Sequence, residues 1–164
     1  LPPVLRAERG AAARVAGLVR GGGAERAVSL KVRPEEVAEV VAAAGRAQHI
    51  ELNAAQEEAV RASLEAPLTV VTGGPGVGKT TVLRTLATIA KERGLRLALA
   101  APTGRAAKRL EEATGQAAKT LHRLLEWDPT SGGFAHDAES PLAAELLVID
   151  EASMVDIRLF NAVV

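Results

Sequence analysis

Apolar residues recur along this chain in two rhythms, and the switch between them maps its elements. After Pro2-Pro3, the residues Leu5, Ala12, Val15, Leu18 and Val19 fall at spacings that suit one helical face, and Gly21-Gly22-Gly23 ends that helix near Arg20. Val28, Leu30 and Val32 alternate with Ser29 and Lys31, so residues 27–32 read as a short strand. Pro34, Glu35 and Glu36 suit the first turn of a second helix, with Val37, Val40, Val41 and Ala44 as its stripe and Gly45 near its end. Leu52-Asn53-Ala54-Ala55-Gln56 opens a short helix that runs to about Leu64.

From there the pattern changes. Leu68–Val71, Leu95–Ala101 and Leu146–Ile149 are near-continuous apolar runs, the mark of strands buried on both faces of a parallel sheet. Thr80 to about Arg93 is helical, with Leu83, Leu86, Ala87 and Ala90 on one side and Gly94 as the stop. The strand–helix–strand unit from Leu68 to Ala101 is therefore expected to be a right-handed crossover. A further helix follows Thr103, with Ala106, Ala107, Leu110 and Ala113 inward and Arg105, Lys108 and Arg109 outward. Lys119-Thr120-Leu121-His122-Arg123 opens another, through about Glu126, and Asp156 to Val163 begins a last amphipathic one. Between them, Trp127 to Pro141 is polar with turn signals at Asp128-Pro129 and Gly132-Gly133; it reads equally as a hairpin pairing Trp127 with Phe134 or as a surface loop. The fold class is α/β, a parallel sheet that is incomplete, preceded by a small mainly helical segment. Residues 1–50 form a helical appendage, or the end of a preceding domain, with a packing role; residues 51–164 form the first part of the main domain.

Composition narrows this picture modestly. Of the 164 residues, 48% are hydrophobic but only 2% aromatic, so alanine, valine and leucine must fill the core. Cysteine is absent, which excludes disulfides and thiolate metal sites and suits a reducing, cytoplasmic setting. No run approaches the ~20 apolar residues that span a bilayer, so no membrane partner is expected. The formal net charge of zero conceals a division: Lys79–Arg123 carries ten basic and three acidic residues, and Leu124–Val164 one basic and eight acidic. A basic middle segment suits a phosphate backbone, although solvated helix faces account for such charges equally well.

The chemistry concentrates at Leu68–Thr81, LTVVTGGPGVGKTT, which contains G-x-x-x-x-G-K-T after an expected strand and before an expected helix. Its glycines allow backbone N–H groups to curl around a polyphosphate, and the helix beginning near Lys79 adds the positive end of its dipole. This assigns ATP to Gly74, Pro75, Gly76, Val77, Gly78, Lys79, Thr80 and Thr81. Lys79 would reach the β- and γ-phosphates, and the Thr80 hydroxyl would ligate Mg²⁺. Gln56 has two readings: the third position of a capping box with Asn53, or a contact to the adenine edge. Asp150 and Glu151 end the last apolar run; Asp150 would hold Mg²⁺ and Glu151 would orient or deprotonate the attacking water, making Lys79, Asp150 and Glu151 the catalytic set. The cradle and these carboxylates are expected at one rim of one sheet. Thr103 serves either as a plain helix cap or, with its neighbouring cations, as a holder of a nucleic-acid phosphate.

From Leu52 onward, LNAAQ (52–56), TGGPGVGKTT (72–81), APTGRAAKRL (101–110), KTLHRLLE (119–126) and LLVIDEASMVD (146–156) resemble the RecD-like branch of superfamily-one DNA helicases. The resemblance covers about two-thirds of the chain. It implies a RecA-like first motor domain that binds ATP and single-stranded DNA and moves 5′ to 3′ in DNA repair or recombination. It also implies that Gln56 contacts adenine and that Thr103, Gly104, Arg105, Thr120 and His122 face DNA. The family's later Gly-Asp-x-x-Gln segment and second RecA-like domain, with its arginine finger, are not in this sequence. The chain, opening on Leu1 rather than methionine, is therefore expected to be a piece of a longer helicase that does not unwind DNA by itself. Two alternatives remain on sequence grounds: another phosphate-loop ATPase such as a loader or remodeller, and the helicase domain of a conjugative relaxase.

Overall fold

Three parallel-sheet strands were expected, and the sheet that forms has three members, though not the expected three. The structure is a computed structural model that describes residues 2–20, 30, 32–74, 76–137 and 139–164. The described elements are helices α1 (Pro3–Arg20), α2 (Val37–Ala47, entered through a 3₁₀ turn at Pro34–Glu36), α3 (Ala54–Glu65), α4 (Lys79–Arg93), α5 (Gly104–Thr114), α6 (Leu121–Leu124) and α7 (Ile157–Val163). The strands are β1 (Leu97–Ala101), β2 (Ala118–Thr120), β3 (Trp127–Asp128), β4 (Gly133–Phe134) and β5 (Leu146–Ile149). The chain divides into two units, one of residues 1–17 and 98–164 and the other of residues 18–97.

In the second unit, α2, α3 and α4 pack against one another. Val40, Val41 and Ala44 of α2, Val60 and Leu64 of α3, and Leu86, Ile89 and Ala90 of α4 are all buried. The helical period places each set on one face, and burying a side chain of this size contributes about 1.5–3 kcal/mol. Thr85 is fully buried on α4, its hydroxyl donating to the Thr81 carbonyl at 2.9 Å and accepting from Gln48 Nε2 at 3.5 Å. Gly94 stops α4 at φ 62°, in the left-handed region that costs glycine nothing. Most of the strand expected at residues 27–32 lies outside the described residues; Leu30 and Val32 themselves are buried.

The strand expected at Leu68–Val71 does not form. Apolar sequence alone cannot make a strand; the backbone must find a neighbour to pair with, and no described strand pairs with this segment. Its side chains reflect that, with Val70 77% exposed. The expected crossover at Leu68–Ala101 is accordingly absent, and the strand–helix–strand unit lies one step downstream. There β1, α5 and β2 link parallel neighbours, with Leu99 opposite Ala118, Ala100 opposite Lys119 and Ala101 opposite Thr120. Strand β2 carries no signal in the sequence, because Ala118–Thr120 is too short and too polar to register as an apolar run.

The first unit is built on the sheet β2–β1–β5, with β1 central. Its core joins Ala100 of β1, Leu121 and Leu125 around α6, and Leu159 of α7, with Leu147, Ile149 and Val155 packed against them. Trp127 and Phe134 face each other across the antiparallel pair β3–β4, so the hairpin reading of this segment holds. In α1 the buried side chains are Ala7 and Ala11, whereas Val19 is 67% exposed. The packed face thus differs from the expected one: small residues, which permit close approach, won over the larger apolar ones.

Candidate functional site

The phosphate-loop sequence folds in the second unit as its glycines require. Gly76 and Gly78 take φ of 79° and 85°, values that a Cβ would strain. Gly73 lies under Val77, where an added Cβ would come within 2.7 Å of the Val77 side chain. Lys79 begins the 15-residue α4, whose first N–H groups have no helical partner. Its Nζ donates to the Gly73 and Gly74 carbonyls at 2.5 and 2.9 Å, so the ammonium already sits at the mouth of the loop. Thr80 is exposed and Thr81 half-buried on the first turn of α4. Pro75 lies outside the described residues.

Gln56 serves the capping box and reaches the loop as well. Asn53 Oδ1 accepts from Gln56 N at 3.0 Å, and Gln56 Oε1 accepts from Asn53 N at 3.0 Å. The Gln56 Nε2 is then left to donate to the Val77 carbonyl at 3.4 Å, across the start of the loop. An acceptor facing Asn53 N–H and a donor facing a carbonyl fix the orientation of this amide. A cavity of about 560 Å³ opens here, with Asn53, Gln56, Ala59, Gly76, Gly78 and Lys79 in its wall. It combines small apolar residues, two side-chain amides, a loop of glycine N–H groups and one cation. That donor set fits a nucleoside polyphosphate.

The other candidates belong to the first unit and gather at one end of its sheet. Thr103 follows β1 and caps α5, its Oγ1 accepting from Ala106 N at 3.2 Å. Gly104 and Arg105 are exposed at the start of α5. Thr120, opposite Ala101 in register, caps α6 and accepts from Arg123 N at 3.3 Å. Asp150, just past β5, donates its N–H to the Ala100 carbonyl at 3.0 Å, so the acidic pair stands beside the carboxyl end of β1. Its Oδ1 accepts from Glu151 N at 2.9 Å, and Glu151 takes φ 52°. A left-handed glutamate is uncommon, and such strain recurs at working sites. Asp156 ends the following turn and caps α7, accepting from Arg158 N at 2.8 Å and Leu159 N at 3.0 Å.

His122 is exposed on α6, and its surroundings were not visible in the sequence. Its ring centroid lies 6.3 Å from that of Trp127 and 6.0 Å from that of Phe134, which are themselves 4.8 Å apart in an edge-to-face arrangement. Three of the chain's few ring side chains thus share one patch beside Thr120, with Trp127 42% exposed. The available signal was the poverty of aromatics combined with their clustering around one turn. Among the described residues, no group of three or more His, Asp or Glu side chains could hold a metal by itself.

Residues 56–164 match the AAA domain family, and the chain belongs to it as part of the first RecA-like domain of the RecD- and RecD2-like type. It is 49% identical over 88 residues to an ATP-dependent RecD2 DNA helicase of Deinococcus radiodurans, covering 54% of this chain and 12% of that protein. It is 44% identical over 136 residues to the RecBCD enzyme subunit RecD of Mycolicibacterium smegmatis, covering 66% of this chain and 24% of that protein. A RecD of Haemophilus influenzae is 35% identical over 135 residues, 65% of this chain and 21% of the relative. The chain therefore spans a quarter or less of the length of these relatives. The family resemblance read from the motifs is borne out, as is a mixed α/β fold with a small parallel sheet preceded by helices. No described helix is long and apolar enough to cross a membrane.

Proposed function

We propose that this chain is part of the motor of an ATP-dependent DNA helicase or translocase that runs 5′ to 3′ on single-stranded DNA in repair or recombination. The observation that carries this reading is the convergence of Thr103–Arg105, Thr120–His122 and Asp150–Glu151 at one end of one sheet. Such a rim lets a nucleic-acid contact and an acidic pair respond to one another through the short backbone of β1. The exposed Trp127, beside Phe134 and His122, offers a ring on which a base can stack, and Arg105, Lys108 and Arg109 supply charge for the backbone.

At the nucleotide, Gln56 and the loop Gly74–Thr81 hold ATP, with Lys79 on the β- and γ-phosphates. Thr80 and Asp150 would hold Mg²⁺ through the hard oxygens it prefers, one hydroxyl and one carboxylate. When bound, the ion supplies charge neutralisation on the phosphoryl oxygens. Glu151 orients the attacking water and takes its proton. The remaining parts of the motor are a second RecA-like domain of the same parent chain and the arginine it contributes, worth orders of magnitude in phosphoryl transfer. The motor reading applies to the full-length parent, which works in the cytoplasm.

The test is ATP hydrolysis by the full-length parent with and without single-stranded DNA. A stimulation of tenfold or more by the strand supports the motor reading. Hydrolysis indifferent to DNA would favour a loader or remodeller built on the same fold.

A further inference from the structure

Helix α1 lies outside the family-matched residues 56–164, yet it grips the last helix of the first unit. Arg14 Nη1 donates to both acceptors of one residue, the Asn161 backbone carbonyl at 2.8 Å and its side-chain Oδ1 at 2.7 Å. One turn earlier, Gly10 presses on the same amide, so closely that an added Cβ would lie 2.3 Å from Asn161 Oδ1. Ala7, Gly10, Ala11 and Arg14 share one helical face, and Ala7 and Ala11 are buried. A contact of such shape and polarity holds α7 in one place rather than merely covering it.

What α7 touches makes that hold consequential. Leu159 is buried against Leu121 and Leu125, which flank the exposed His122, and Ile149 and Val155, on either side of Asp150–Glu151, pack on the same cluster. Helix α7 is therefore the shared base beneath the Thr120–Leu125 segment and the acidic pair. We propose that Arg14 is a positioning residue: through Asn161 it fixes α7, and α7 keeps the DNA-facing segment and the acidic pair aligned so that one reports to the other. This rests on the motor reading above for its functional consequence, while the mechanical link stands on the contacts alone.

The test uses the full-length parent and the variants Arg14→Ala, Asn161→Ala, their double, and Gly10→Ala, with Asn161→Asp as the conservative control that keeps an acceptor. Hydrogen exchange reads the link directly. Amides of residues 150–163 and 121–125 should exchange about tenfold faster in Arg14→Ala, Asn161→Ala and Gly10→Ala, while those of α4 stay unchanged and Asn161→Asp stays near wild type. DNA-stimulated kcat should fall about fivefold or more in the same variants with KM for ATP within about twofold, and the double variant should be no worse than either single. Unchanged exchange in residues 121–125 and 150–163 would overturn the link. Faster exchange with an unaltered kcat, or losses that add in the double variant, would overturn the positioning role. A wild-type parent without DNA stimulation would instead count against the motor reading, and the exchange arm would still decide the link.

Discussion

Gln56 and Gly78, 22 positions apart, occupy space that neither could share with a larger neighbour: a Cβ on Gly78 would lie 2.2 Å from Gln56 Nε2. The glycine is thus required twice, by its φ of 85° and by the amide against it. Gly78→Ala should lower ATP affinity about tenfold or more, since left-handed strain alone costs about 1–2 kcal/mol. Gly94 provides the contrast, with φ 62° but open space around it. Gly94→Ala should cost about 1 kcal/mol of stability with ATP affinity unchanged. Titration with a fluorescent ATP analogue, alongside thermal unfolding, separates the two.

Thr103 caps α5, so Thr103→Ala should destabilise by about 1 kcal/mol whether or not DNA binds there. Arg105 is exposed and makes no cap, so its removal tests nucleic acid more cleanly. In the full-length parent, Arg105→Ala should weaken single-stranded DNA uniformly across sequences and reduce the salt slope by about 1. Binding isotherms at several salt concentrations measure this. An unchanged slope would place Arg105 off the DNA.

Trp127 is 42% exposed beside Phe134 and His122, and a base stacked on it should contribute about 1–3 kcal/mol. Trp127→Ala should therefore weaken single-stranded DNA by about five- to a hundredfold while ATP affinity stays as it was. Trp127→Phe should retain most of the binding. Fluorescence of this single tryptophan, quenched on adding oligonucleotide, gives a direct readout.

Asp128 ties the hairpin turn, accepting from Thr130 N at 2.8 Å and Ser131 N at 3.2 Å. The Thr130 and Ser131 donors hold its carboxyl below the ordinary range. A carboxyl lowered in the folded state stabilises fully above its unfolded value, about pH 4, and that contribution disappears as pH falls through the folded value. The Trp127–Phe134 pairing should accordingly loosen on acidification below about pH 4, and Asp128→Asn should remove that pH dependence. Trp127 indole shifts across an acid titration provide the check.

Much of this was legible in the sequence because it is local. Gly94 as a helix stop, Asn53 with Gln56 as a capping box, Thr103 and Asp156 at helix starts, and the apolar runs at Leu95–Ala101 and Leu146–Ile149 all follow from residue type and neighbours. What was not legible depends on partners distant in sequence. Val70 and Val71 read as strand, but pairing decides strands, and pairing is invisible in one segment. The packed face of α1 is hidden from the sequence because Gly10 and Ala11 are too small to stand out as hydrophobes, although they permit the close approach that Arg14 and Asn161 exploit. His122 could be placed in a motif, yet nothing in LHR indicated that Trp127 and Phe134 would surround it.

The proposed function has Lys79, Thr80, Asp150 and Glu151 serve a single Mg-ATP. The most direct measurement is a structure of the full-length parent with a non-hydrolysable ATP analogue and Mn²⁺ in place of Mg²⁺, the metal located by its anomalous signal. One metal should appear at about 2.1 Å from the Thr80 hydroxyl, with the Asp150 carboxylate bound to it directly or through one water. A metal held by Thr80 with Asp150 tens of ångströms away, or no metal at Thr80 at all, would contradict the claim.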